Sequence, residues 1–414
     1  MKPWRVIGCI LLAMMGVVLL LGLSPREAAA GTTPPINLSG SGSWARFPVI
    51  ARADDGTLCA AWSDQRDGVW NIYSSCSINN GLSWSSPARV ASTSLESIHP
   101  AVLFSGTVPL IFWTDNYEQV YTISQKMGAS IQVVASGIRL PVPRPSAARG
   151  REGTIYTVFT DRPPGRSRGV YSTRLPTGGG SWSEATAIFT SGVDSMDPRI
   201  AVDPSGNLHV VWREDTSPFD AIRYVSGTVG TDGTVSWSPA ITVSQVVSLV
   251  WQPDIAAAPS GDIHIVWTEI VDDQRYLAYT RFPAGGGRIP PQRLGGPFPV
   301  NQNNPYHLAP AIGAAGDRIC IAWNAVPERM LAEDIFLICS KDGGNTWSPP
   351  ENLSRTPEMS LRPSIAVAPD GSVHVVWQEF FHTNNPNYDY DYRVYYTRWL
   401  PHSVYLPLVM RNAR

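Results

Sequence analysis

The sequence predicts an all-β fold, a seven-bladed β-propeller of four-stranded antiparallel blades. Three observations carry this. First, a proline-led apolar run recurs seven times, at Pro48, Pro100, Pro145, Pro198, Pro253, Pro310 and Pro363, at intervals of 45 to 57 residues. A fixed period of that length means one supersecondary unit repeated. Second, each proline is followed 13 or 14 residues later by an aromatic: Trp62, Trp113, Phe159, Trp212, Trp267, Trp323 and Trp377. Third, the chain holds 35 Gly, 36 Pro and 15 Trp but only 16% charged residues, and no long helical periodicity follows residue 30. Abundant turn residues between short aromatic-rich runs fit strands that close into a propeller.

Each strand of the unit has its own signal. Strand A follows the proline, whose fixed φ suits strand entry. A tight turn comes next, as at Asp55-Gly56, Ser205-Gly206, Ser260-Gly261 and Asp370-Gly371. Glycine supplies the positive φ that such hairpins need. Strand B ends at the aromatic. Strand C has the form "NIYSSC", "DIFLICS" or "YRVYYTRW", and strand D is expected to carry "SWSSP" or "TWSPP".

The turn between C and D carries a motif. "SKDGGNTW", Ser340 to Trp347, fits Ser-x-Asp-x-Gly-x-Thr-Trp, and "SINNGLSW", Ser77 to Trp84, fits with Asn79 for Asp and Ser83 for Thr. Eroded versions end at Trp182 and Trp237. This resembles the Asp-box, or bacterial neuraminidase repeat, of the sialidase-like propellers, over residues 36 to about 400. The resemblance implies that the Asp caps its own hairpin, that the Trp packs between strands, and that the motif lies on the face away from the substrate. It is a structural motif and does not itself imply catalysis.

Closure is also readable. "NLS" occurs at Asn37–Ser39 and at Asn352–Ser354, each 11 residues before a repeat proline. The second copy ends a strand D, so the first reads as a strand D lacking its own A, B and C. The seventh unit ends near Trp399 with no D strand of its own. The N-terminal piece is therefore expected to complete that blade, which removes exposed sheet edges. Seven blades depart from the six of catalytic sialidases.

Before the ring, Lys2 and Arg5 precede an apolar run from Val6 to Leu23, and Ala28-Ala29-Ala30 offers a small-residue cleavage site. Residues 1–30 read as a secretory signal peptide or an uncleaved membrane anchor, which places the domain, residues 31–400, outside the cytoplasm. The tail 401–414, "SVYLPLVMRNAR" at its end, is a surface-retention signal or a final strand. In an oxidising compartment, Cys59–Cys76 and Cys320–Cys339 are expected to be disulfides. Each pair fills the same two slots on neighbouring strands B and C. His209, His264 and His374 fill the slot of Cys59 and Cys320 in other blades. Equivalent slots spread around a ring cannot converge on one ion, so a structural role is expected. No cofactor is expected. The acidic loop "NYDYDY" offers Ca²⁺ ligands but lacks EF-hand spacing.

Topology places the D-to-A and B-to-C connections on one face, around the channel mouth. An acid ends strand B in six of the seven units: Asp64, Asp115, Asp161, Glu214, Glu269 and Glu379, with Ala325 the exception. A residue type repeated so regularly reads as scaffold, its carboxylate accepting N–H bonds. The slot before the proline varies instead, and with Arg46 it supplies the candidate ligand residues: Arg46, Phe47, His99, Arg144, Asp197, Gln252, Ala309 and Arg362.

Two functions are expected from this. The first is a secreted or cell-surface module that binds a glycan or an extracellular protein at the channel mouth, with Tyr117, Tyr306 and Tyr388 at the rim. The alternative, implied by the resemblance, is an exo-α-sialidase-like glycoside hydrolase. There Arg46, Arg144 and Arg362 would hold a carboxylate, Asp67 would be the acid, and Tyr388, Tyr390 or Tyr392 the nucleophile, assisted by Glu214 or Glu269. A formal net charge of −2 argues against nucleic acid as partner. Membrane contact is expected only through the N-terminal segment, and the domain is expected to be a monomer.

Overall fold

In the computed structural model, residues 31–401 are described, apart from residues 42, 92–94, 118–119, 140–142, 217–218, 246–248, 300–308, 327–331 and 386–387. The expectations for residues 1–30 and for the tail beyond 401 lie outside the described residues. Seven antiparallel sheets form the ring, and no helix occurs among the described residues. In blade 1, strands A to D are Arg46–Arg52, Leu58–Asp64, Asn71–Ser77 and Ala88–Arg89. Strands A pack blade against blade around the axis and strands D form the outer edge.

The strand-B aromatic is the anchor of each blade. Trp62, Trp113, Trp212, Trp267 and Trp377 are fully buried, and Trp323 nearly so. Strand residues two apart share a face, so the acid two positions on meets the indole edge. Trp62 Nε1 donates to Asp64 at 3.0 Å, Trp113 to Asp115 at 2.8 Å, Trp267 to Glu269 at 3.3 Å and Trp377 to Glu379 at 2.6 Å. The acids are thus scaffold: four hold the neighbouring indole, Asp64 and Asp161 accept loop backbone N–H groups from Arg66 and from Arg139 and Arg162, and Glu214 accepts from Ser191 and pairs with Arg223. Trp323 Nε1, where Ala325 breaks the series, has no hydrogen-bond partner among the described residues, and neither has Trp212 Nε1 although Glu214 follows it.

The C–D turns lock blade to blade. In blade 6, Asp342 accepts from the Thr346 backbone N–H at 2.9 Å and its hydroxyl at 2.6 Å, and from the Asn345 N–H at 3.1 Å. That capped turn lies on blade 5, where Trp347 meets Tyr279 edge-on with centroids 5.1 Å apart. Gly344 has φ +84°, and a Cβ there would stand 2.1 Å from the Tyr279 hydroxyl. The same hydroxyl bonds His264 Nδ1 at 2.7 Å. Blade 1 repeats this on blade 7: Trp84 packs on Tyr396, and Tyr396 bonds His374 Nδ1 at 2.8 Å. His209 pairs with Tyr224 at 2.7 Å. The three histidines are therefore partners of strand-C tyrosines in separate blades, as a structural role requires. The tryptophan of the motif packs between blades, not only between strands.

Two details of the unit settle differently. "SWSSP" leads into strand D instead of forming it, because Trp84 is turned onto the adjacent blade; the D strands of blades 1 and 6 are only Ala88–Arg89 and Glu351–Asn352. Both disulfides form as the shared slots imply, since Cys59 faces Cys76 and Cys320 faces Cys339 directly across the B–C ladder.

Closure follows the sequence. The strand Ile36–Asn37 pairs with Tyr396 and Tyr395, and Gly31–Thr32 pairs with Leu400 and Trp399, so the N-terminal piece is the outer strand of blade 7. Ser43 Oγ donates to the Tyr392 carbonyl at 3.2 Å and Ser39 Oγ accepts from the Val394 N–H at 3.0 Å, sealing the join.

Candidate functional site

The mouth is built by a repeated kink. In five blades strand A carries a bulge at the repeat proline, seen as a register shift between Arg46 and Val49, Ile98 and Ala101, Met196 and Arg199, Trp251 and Asp254, and Leu361 and Ser364. The residue before the proline takes a left-handed conformation there: Phe47, His99, Asp197, Gln252 and Arg362 all have φ between 48° and 56°. Such a conformation costs a non-glycine residue about 1–3 kcal/mol and persists only where surroundings enforce it. Here the adjoining blade helps to hold it. Gln378 Oε1 accepts the Phe47 N–H at 3.1 Å, and Ser63 Oγ accepts the His99 N–H at 3.1 Å. The kink turns the pre-proline side chain into the channel.

These side chains enclose a cavity of about 300 Å³ on the ring axis, lined in part by Phe47, His99, Arg144, Arg199, Gln252 and Arg362. Phe47 is its central apolar surface. The His99 ring meets it edge-on at 4.4 Å, and the Arg362 and Arg144 guanidiniums stand 4.8 Å and 5.9 Å from its centroid. Arg144 lies 3.4 Å from Asp197, and Arg199 lies 3.9 Å from Asp254. Arg144, Arg199 and Arg362 thus share the cavity with the carboxyl groups of Asp197 and Asp254.

The electrostatics express that crowding of guanidiniums. Burial, with Arg144 adding repulsion, pulls the Arg362 guanidinium down to about 9. Burial and the charges of Arg144, Arg362 and Arg199 hold His99 neutral, well below the ordinary imidazole range. Neither of its ring nitrogens has a hydrogen-bond partner among the described residues, nor has Gln252 Oε1. Burial favours protonation of Asp197, but Arg144, Arg199, Arg213 and Arg362 outweigh it and keep its carboxyl below the usual range. The site offers charged donors around an anion-sized space, with neutral polar groups left to satisfy.

The sequence-predicted residues separate into those the structure gathers and those it does not. Arg144, Arg362, His99, Asp197 and Gln252 meet at the cavity. Arg46 adjoins it from the rim, where its guanidinium lies 3.9 Å from the Tyr392 ring and 5.5 Å from both Trp44 and Trp70. Of the three candidate phenols, only the side chain of Tyr392 is described, and its ring lies against the Arg46 guanidinium. The side chains of Tyr117, Tyr388 and Tyr390, and the whole of Tyr306, lie outside the described residues. Asp67 turns away from the cavity, toward the outer strands of its own blade. It accepts a hydrogen bond from Tyr73 and sits 3.8 Å from Arg89. Glu214 and Glu269 are occupied in the scaffold, paired with Arg223 at 3.1 Å and Arg293 at 3.0 Å. Sequence reasoning missed Arg199 and Asp254. They stand just after the repeat proline, in a column (Val49, Ala101, Ser146, Arg199, Asp254, Ala311, Ser364) that varies as much as the pre-proline one. Among the described residues no cluster of His, Cys, Asp or Glu fit to hold a metal ion occurs.

No family model and no curated protein sequence matches the chain. Solved structures do share its fold. An ulvan lyase of polysaccharide lyase family PL25 superposes with a TM-score of 0.55 at 10% identity, over 89% of this chain and 94% of the lyase. A protein of unknown function from Dyadobacter fermentans gives a TM-score of 0.52 at 12% identity, over 89% of this chain and 99% of that one. The NanB sialidase of Streptococcus pneumoniae gives 0.51 at 11% identity, over 89% of this chain and 71% of the sialidase. At these identities the likeness concerns the fold alone: the chain is a seven-bladed β-propeller.

Proposed function

We propose that this protein is an extracytoplasmic recognition module that binds an acidic glycan, or an acidic group on an extracellular protein, at the channel mouth. The observation that carries this is the convergence of Arg144, Arg199 and Arg362 on the axial cavity, with Arg144 and Arg362 flanking Phe47. A carboxylate seated there would face two planar guanidiniums able to bind it in bidentate fashion. The aromatic surfaces of Trp44, Trp70 and Tyr392 beside it suit the apolar face of a sugar ring. Two disulfides accord with an oxidising compartment. The carbohydrate-active proteins that share the fold agree with a saccharide ligand. The test is a glycan array of acidic and neutral glycans, followed by titration of the best binder. Acidic glycans should bind, and Arg362→Ala should weaken them at least tenfold while neutral ones stay silent. Uniform silence of the acidic set would sink the reading.

A second reading, exo-α-sialidase-like hydrolysis, is favoured by one observation: Tyr392 stands against Arg46, in the blade that carries Arg362. Against it, Asp67, Glu214 and Glu269 all have partners away from the cavity. A fluorogenic sialoside decides: turnover abolished by Tyr392→Phe would establish hydrolysis, and no turnover leaves binding as the function.

A further inference from the structure

Both ends of the described chain emerge at one place. Gly31 pairs with Leu400 and Thr32 with Trp399 on the outer edge of blade 7. The strand Tyr388–Leu400 starts at the mouth face, so Leu400 and Gly31 lie at the opposite face. The C–D turn of blade 1 adjoins them: a Cβ on Gly81 would stand 1.8 Å from the Tyr396 hydroxyl, and Trp84 packs on the same ring at 4.7 Å. This turn carries the two most exposed large apolar side chains among the described residues, Ile78 at 89% and Leu82 at 72%. Val108, Met127 and Ile131 are further exposed apolar side chains, at the same end of blade 2. The equivalent turn of blade 6 is polar, with Lys341, Asp342 and Asn345.

The sequence names the surface that fits. Val6–Leu23 is an uncharged apolar run of 18 residues. That exceeds the ~7–15 residues of a signal-peptide core. Eighteen residues, if helical at ~1.5 Å each, would reach ~27 Å, close to a bilayer's hydrocarbon thickness. Lys2 and Arg5 on its N-terminal side favour retention of that end in the cytoplasm. Only Ser24–Ala30 separate the run from Gly31. Seven residues extend ~25 Å at most, so a retained run would hold the edge of blade 7 against the membrane. Among the described residues no helix is long and apolar enough to cross a membrane, so the run would be the anchor.

We propose that the apolar run stays attached, and that the propeller rests on the lipid bilayer through the face bearing Gly31, Leu400, Ile78 and Leu82. The channel mouth then points away from the membrane, toward ligands in the surrounding medium. This inference stands on chain geometry and holds whatever the cavity binds.

The test uses the full chain with its own N-terminus, expressed in a bacterium, fractionated and weighed intact. The expected product resists carbonate extraction from membranes and retains residues up to Ala30. A soluble extracytoplasmic product beginning at Gly31 overturns the proposal. The orientation is read in phosphatidylethanolamine–phosphatidylglycerol vesicles on a Cys9→Ser background, with an environment-sensitive thiol dye at Leu82→Cys. Ile78→Cys serves if the first variant folds poorly, and Val69→Cys on the mouth-face loop is the reference. A lipid-dependent blue shift at 82 or 78 and none at 69 supports the orientation. No shift at 82 and 78, or a shift at 69, overturns it. A shift that follows protein concentration rather than lipid assigns the patch to a second copy, and overturns it too.

Discussion

Glu379 and Arg362 occupy the two ends of one repeat unit, and their roles divide cleanly. Glu379 accepts from Trp377 Nε1 at 2.6 Å and from the Ser360 hydroxyl at 2.8 Å, all three residues being buried. Glu379→Ala leaves a buried indole N–H unpaired, which costs about 1–3 kcal/mol. Chemical denaturation should register that loss while ligand affinity of the folded protein is unchanged. Arg362→Ala should do the reverse. The Arg362 guanidinium loses its charge as pH rises through about 9, so anion affinity should be whole below that pH and decline above it, as calorimetry across pH 7 to 10 would show. The histidine slot makes a second pH prediction. Burial lowers His264 to about 4 and His374 to about 3. Unfolded imidazoles take up protons near 6.5, so this stability is whole above pH 6.5 and drains as pH falls toward the folded values. At pH 4.5 each such histidine should cost about 2 kcal/mol relative to pH 7. A urea midpoint unchanged between the two pH values would contradict it, and His264→Gln should flatten the slope. The scaffold role of the acid was legible because the same residue type recurs in six of the seven equivalent environments. Arg199 was not, because its column changes residue type from blade to blade and so carries no periodic mark of facing the channel.

At the scale of the element, the C–D turn is where local chemistry becomes assembly. Gly344→Ala forces a left-handed L-residue and drives a Cβ against the Tyr279 hydroxyl, so it should lower stability by more than about 1 kcal/mol. A thermal melt indistinguishable from the parent's would show that the turn does not bear on blade 5. Each disulfide closes a short loop, with sequence separations of 17 and 19 residues. Removing either with paired Cys→Ala substitutions should cost about 3 kcal/mol. Denaturant midpoints for the two double variants measure this. The positions of strands A, B and C were readable from prolines, turn glycines and aromatics. The brevity of strand D was not, because Trp84 and Trp347 look like strand residues in sequence. Only the neighbouring blade, offering Tyr396 and Tyr279, draws them out of the ladder.

For the whole molecule, closure is the decisive event. Deleting residues 31–39 removes the outer strand of blade 7 and exposes the edge of Tyr395 and Tyr396. The truncated chain should aggregate or melt without a single cooperative transition. A monodisperse, cooperatively folding product on size-exclusion chromatography and calorimetry would contradict this. Closure also makes the cavity, since residues hundreds of positions apart (Phe47 and Arg362) meet only when the ring is complete.

The sequence by itself determined the number of blades, the strand that closes them, the disulfide pairs and the structural standing of the acids and histidines. Each of these repeats or pairs at fixed spacing, and a periodic requirement leaves a periodic trace. The tertiary structure decided which variable residues share one space. The left-handed kink before the proline aims His99, Gln252 and Arg362 inward, though nothing in an L-residue's identity announces such a φ. It turned Asp67 outward to Tyr73 and set Tyr392 against Arg46. Those choices depend on distances across the ring, and a linear pattern does not carry them.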